Sequence, residues 1–168
     1  MKSKRIVRFG FAALLLTFAT FDVQAQWTPP GASTAPQPGS ALSIPQAELI
    51  QPEALNHLLQ KAGPQKPLVL QVGSHVLFAQ AHIAGSEYVG PGSQPGGLQA
   101  LQDRVNSLAR SQFIVIYCGC CPWNHCPNIE PAFSKLREMG FTNVRVLYLA
   151  DNFGANWVNR GYPVEQGR

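Results

Sequence analysis

All four cysteines of the chain, Cys118, Cys120, Cys121 and Cys126, fall within nine residues, directly after the apolar run Phe-Ile-Val-Ile-Tyr at 113–117. Sulfur so crowded points to nucleophilic thiol chemistry, disulfide exchange or soft-metal binding. A five-residue apolar run of this kind reads as a buried strand. A thiol at its carboxyl end, before Gly119 and ahead of a helix, meets backbone N–H groups and a helix dipole that stabilise an anion. The expectation is a reactive thiolate at Cys118, near enough to the loop to escape deep burial.

The elements that would position this thiol alternate between strand and helix. Short strands are expected over 47–50, 67–72, 87–89, 113–117 and 144–148. A helix over 52–62 opens on Pro52 and repeats Leu55, Leu58 and Leu59; another over 98–109 repeats Leu98, Leu101, Val105 and Leu108. After the cysteine loop, Asn128 is placed to cap a helix that carries Phe133, Leu136 and Met139 inward and stops at Gly140. Shorter helices are expected over 75–81 and 153–159, with 91–97 a turn-rich loop. This order implies an α/β fold with a mainly parallel central sheet and helices on both faces. In such sheets, sites form at the carboxyl ends of strands, which is where the cysteine loop lies.

Residues 1–25 carry Lys2, Lys4, Arg5 and Arg8, then an uncharged stretch and Val23-Gln24-Ala25, the pattern of a cleaved signal peptide. Four of the 13 Lys and Arg and one of the 9 Asp and Glu lie there, leaving a net charge of +1 for the rest. A nucleic-acid partner therefore loses its electrostatic support. Residues 26–43, rich in Pro, Gly and Ser, read as a tether, and 44–168 as one domain. The expected location is periplasmic or secreted, with no transmembrane segment once the leader is removed, and thiols there tend to oxidise.

Four stretches, in order, resemble the rhodanese-like family of sulfurtransferases: 68–72 before a short helix; Ala81-His82-Ile83-Ala84-Gly85, similar to its G-H-I-P-G-A; Ile114-Val-Ile-Tyr-Cys118, similar to I-V-V-Y-C; and Gly140-Phe-Thr-Asn-Val144 through Trp157 to Gly161-Tyr-Pro-Val164. The resemblance implies the rhodanese-like architecture. It also implies that Cys118 is the nucleophile, carrying sulfane sulfur as a persulfide to a thiophilic acceptor, with the following backbone N–H groups holding the charge. Two departures stand out. Gln71, Val72 and Gly73 occupy the family's D-V-R positions, and the 22 positions from Cys118 to Gly140 exceed the family's usual spacing by about five. No arginine lies in the enlarged loop, and Asn124 stands where C-x5-R phosphatases carry theirs, so phosphatase or arsenate-reductase chemistry is not indicated.

Gly119, Cys120, Cys121, Trp123, Asn124 and His125 are the candidate substrate-binding residues of the loop. Three uses compete for the remaining sulfurs. Cys126 pairs with Cys120 or Cys121 as a disulfide staple, the favoured reading; one of the three resolves the Cys118 persulfide; or the loop holds a soft metal ion. The metal reading fits less well, since all its ligands come from one short segment, and neither metal nor organic cofactor is expected. The overall expectation is a sulfurtransferase using a small sulfur donor and a thiol or cyanide-like acceptor. A non-catalytic module that docks an envelope protein, and a thiol-redox or metal-binding protein, stay open beside it.

Overall fold

The structure is a computed structural model and describes residues 42–61, 63 and 66–167. The signal peptide expected over 1–25 and nearly all of the tether expected over 26–43 lie outside the described residues. Among the described residues, no helix is long and apolar enough to cross a membrane.

Five parallel strands form the central sheet: β1 (Leu49–Ile50), β2 (Leu68–Gln71), β4 (Glu87–Tyr88), β5 (Ile114–Tyr117) and β6 (Val144–Leu147), in the order β1-β6-β5-β2-β4. β5 lies at the centre, with Leu68 opposite Ile114 and Gln71 opposite Tyr117 on one side, and Ile114 opposite Val144 on the other. All four of its residues are buried, as expected of a strand covered on both faces.

Successive side chains of β5 point to opposite faces and so feed two cores. Ile114, Ile116 and Cys118 pack with Leu101 and Val105 of α3 (Pro95–Val105) and with Ile129, Ala132 and Leu136 of α4 (Ile129–Glu138). Val115 and Tyr117 pack with Leu55 of α1 (Pro52–Gln60) and with Phe153 of α5 (Phe153–Asn156) and its neighbour Trp157. The α/β architecture with helices on both faces is thus the observed one. Cys118 belongs, by parity, to the α3/α4 side.

Several boundaries differ for local reasons. A tight turn at Gln46–Glu48, closed by the Glu48 N–H donating to the Pro45 carbonyl at 2.8 Å, replaces the first half of the expected strand over 47–50. α3 starts at Pro95 rather than Leu98, because Gly97 packs its bare Cα face against Pro91: a Cβ there would sit 2.1 Å from the Pro91 carbonyl oxygen. Residues read as loop therefore join the helix. β3 (His82–Ile83), which follows α2 (His75–Gln80), pairs antiparallel with β7 (Val164–Glu165), and this second small sheet was not expected. Trp157 is fully buried and donates from Nε1 to the Pro163 carbonyl at 3.0 Å, consistent with a closing rather than a chemical role.

Candidate active site

Cys118 follows the last residue of β5, beside the carboxyl end of β2. The two strand ends are tied by the Val72 N–H donating to the Tyr117 carbonyl at 2.8 Å. The Tyr117 hydroxyl accepts from the Ile83 N–H at 3.1 Å and bonds Ser86 Oγ at 3.0 Å; burial pushes this phenol up to about 12. Gly119 turns the chain with φ of 77°, a left-handed conformation that suits glycine, and a Cβ there would stand 2.7 Å from Phe153.

A pocket of about 320 Å³ opens at this edge of the sheet, with Gln71, Leu77, Cys118, Gly119, Cys120 and Phe153 in its wall. Among the described residues, no Asp, Glu, Lys, Arg or His lines it. Cys118 itself is only 3 % exposed, so the expectation that its place before the loop would keep it out of the core is corrected. The cause is Gly73. With no side chain at that position, Cys118 Sγ settles where a Cβ on residue 73 would lie 2.8 Å away.

Two neutral amides hold the sulfur and its backbone. Gln71 is buried; its Nε2 donates to the Cys118 carbonyl at 3.3 Å and its Oε1 accepts from the Gly73 N–H at 3.2 Å. Asn128 stands at the start of α4 but does not cap it, contrary to expectation. Its Oδ1 accepts from the Ser93 N–H at 3.1 Å and hydroxyl at 2.8 Å, which turns Nδ2 toward Cys118 Sγ at 3.2 Å. Neither amide was singled out as a functional residue. Asn128 carried the signal of a helix cap, and Gln71 stood out only as a departure from the family's charged position.

All four cysteines are free, so the expected staple from Cys126 to Cys120 or Cys121 is not formed. Cys118 Sγ is 3.1 Å from Cys120 Sγ, which is 3.0 Å from Cys121 Sγ. The Sγ atoms of Cys118, Cys120 and Cys126 all lie within 4.8 Å of one another. Hydrogen bonds from Cys118 and then Cys126 hold the Cys120 thiol well below its ordinary value. The same bond with Cys120, then that with Cys126 and burial, push Cys118 up. Burial, then Cys120, pushes Cys121 up to about 12. Cys126 also rises to about 12, a lowering bond from Cys118 being outweighed by Cys120 and burial. The shared hydrogen bond thus disfavours charge on Cys118 and favours it on Cys120, within reach of the Cys118 proton. Asn128 Nδ2, which donates to Cys118 Sγ at 3.2 Å, favours charge on Cys118 once that proton moves.

Of the other expected loop residues, Gly119 and Cys120 line the pocket and the rest do not. Trp123 packs its ring 5.1 Å from that of Tyr148, and its N–H donates to the Ala150 carbonyl at 3.1 Å, which anchors the loop. Asn124 and His125 are exposed and bonded to each other at 2.7 Å. His82 is buried elsewhere, with its Nδ1 2.8 Å from the Phe78 carbonyl oxygen.

The rhodanese-like domain of the Alr3790 protein from Anabaena sp., solved by solution NMR, superposes with a TM-score of 0.52 at 24 % identity, over 71 % of this chain and 79 % of that one. The BH2092 protein from Bacillus halodurans superposes with a TM-score of 0.54 at 21 % identity, over 70 % and 76 %. The fold is rhodanese-like. No family model matches the sequence, and no curated protein matches it either. On this rhodanese-like frame, the free thiol at the end of the central strand, the pocket before it and the loop of surplus sulfur are features of the chain's own residues.

Proposed function

We propose that the chain is a sulfurtransferase in which Cys118 takes up sulfane sulfur as a persulfide and yields it to a thiol or cyanide-like acceptor. The observation that carries this reading is an unbridged Cys118 at the end of the central strand, among the residues that line a pocket sized for a small sulfur donor, with the Asn128 amide aimed at its sulfur. Thiosulfate serves as the model donor. Cys118 passes its proton to Cys120 Sγ, 3.1 Å away, and attacks the outer sulfur. The donor's S–S bond breaks, sulfite leaves with the electron pair, and the new S–S bond makes the persulfide. The acceptor then attacks the terminal sulfur, and Cys118 leaves as a thiolate. Asn128 Nδ2 stabilises negative charge at Cys118 in both steps. An exported setting, suggested by residues 1–25, belongs to the same proposal.

Intact mass after exposure of the reduced chain to thiosulfate tests it. The natural protein gains one sulfur, cyanide removes it, and Cys118→Ser gains none. A reduced natural protein that gains no sulfur refutes the assignment. The 3.1 Å separation of Cys118 and Cys120 favours a second reading, a thiol–disulfide carrier; its mark in the same spectrum is a loss of two hydrogens instead of a gain of sulfur.

A further inference from the structure

The loop holds more sulfur than one persulfide needs. Cys126 is buried, unbridged and without a part in the transfer scheme, yet its Sγ faces those of Cys118 and Cys120. We propose that Cys118, Cys120 and Cys126 form a three-thiolate site for a soft monovalent metal ion, and that the ion is copper(I).

The argument is geometric. Three thiolates in a trigonal plane around one ion, at metal–sulfur distances of about 2.3 Å, stand about 4.0 Å apart. Here the separations run from 3.1 Å, for Cys118 and Cys120, to no more than 4.8 Å. Cys120 is the exposed member, so the short contact can open on the solvent side while the two buried sulfurs keep their places. The group contains sulfur alone, with no carboxylate or imidazole, which selects soft ions such as copper(I) and zinc over hard ones.

Ligand number separates those two. Structural zinc takes four ligands in a tetrahedron. Cys121 Sγ is 3.0 Å from Cys120 Sγ but outside the mutually facing group, and His125 Nδ1 is engaged with Asn124. Three donors remain, a number that suits copper(I). Asn128 supplies the outer support such sites carry, with Nδ2 3.2 Å from Cys118 Sγ and 4.0 Å from Cys120 Sγ.

A single short segment can provide all three ligands because it doubles back. The turn Trp123–His125, with the Trp123 N–H held by the Ala150 carbonyl and the Cys126 N–H donating to the Trp123 carbonyl, folds Cys126 over Cys118. Binding displaces thiol protons to solvent and moves no electrons. An ion so held occupies the Cys118 sulfur, so copper and sulfane sulfur exclude each other.

The test uses the reduced full chain without oxygen, titrated with copper(I) against a chromogenic copper(I) chelator, with iodoacetamide labelling read by peptide mass. The chain should withdraw one copper(I). Copper should then protect Cys120 from labelling and leave the labelling of Cys121 unchanged. Cys126→Ser should lose the ion against the same chelator, Cys121→Ser should keep it, and Asn128→Ala should bind about 10-fold more weakly. The site is overturned if the natural chain withdraws no copper, if Cys120 and Cys121 are protected alike, or if Cys126→Ser matches the natural chain. Stoichiometric zinc(II) that resists displacement by copper(I) overturns the choice of ion. The labelling arm needs no variant, so a misfolded Cys126→Ser cannot leave the question open.

Discussion

Replacing Gly73 by alanine tests whether the position of Cys118 Sγ depends on a missing side chain. A Cβ there would stand 2.8 Å from Cys118 Sγ and 3.0 Å from the Cys118 carbonyl oxygen, where ordinary contact begins at 3.4 Å. The sulfur would have to retreat by about 0.6 Å and the carbonyl by about 0.4 Å, a form of overpacking. Neither yields easily. The carbonyl is backbone that accepts from Gln71, and the sulfur already has Cys120 at 3.1 Å and Asn128 at 3.2 Å. Overpacking of this size costs about 1–3 kcal/mol, and each kcal/mol lowers Tm by roughly 4 °C in a domain of this length. Misplacing a reacting atom by 1 Å can cost about 100-fold, so a shift near half that should slow sulfur loading by on the order of 10-fold. The assay pairs the rate of mass gain from thiosulfate with thermal unfolding followed by circular dichroism. Gly96→Ala is the control, since a Cβ at that exposed position in α3 meets nothing within 4 Å. A Gly73→Ala chain that loads at the natural rate and melts with Gly96→Ala would refute the reasoning.

Tyr117→Phe removes the acceptor of the buried Ile83 N–H and the partner of Ser86, and should cost about 1–3 kcal/mol, read as a lower urea midpoint with an unchanged slope. An unchanged midpoint would mean that the hydroxyl does not tie β3 to the central strand. The carboxyl of Glu87 is held below its ordinary 4.5 by the hydrogen bond from Arg104 and then by its charge, with burial acting against both. A lowered folded value means that the pair stabilises the chain above pH 4.5 and that this is lost as pH falls through the folded value. At 43 % exposure of the glutamate, water holds the contribution to below about 1 kcal/mol. Urea midpoints of the natural chain and Glu87→Gln should therefore differ at pH 7 and converge toward pH 3; a gap that widens in acid would contradict the sign.

The frame was legible because its signals are local and periodic. The buried run at Ile114–Tyr117 and the helical repeat of Phe133, Leu136 and Met139 depend on neighbours in sequence, and they locate the central strand and its covering helix; of that repeat only Leu136 is fully buried, beside Ile129 and Ala132, while Phe133 and Met139 pack partly buried at the edge. The interior of the site was not legible in the same way. Gly73 matters for the sulfur that reaches it from 45 positions away, and Asn128 matters because Ser93, 35 positions upstream, turns its amide. The β3–β7 pair joins segments that each read as connection, since two residues carry no usable alternation. Residue type placed Asn128 correctly at a helix start, and tertiary partners then gave it other work.

The absence of any cationic side chain among the described residues that line the pocket sets how a donor arrives. A dianion such as thiosulfate meets no cationic side chain among the described wall residues to draw it in, and a thiolate in that wall repels it. Encounter should then proceed at an unassisted diffusional rate, and dissolved salt should quicken it, if it acts at all, by screening that repulsion. Donors whose sulfane sulfur rides on a neutral carbon skeleton enter without this penalty, so the pocket discriminates by charge even though it holds no ion pair.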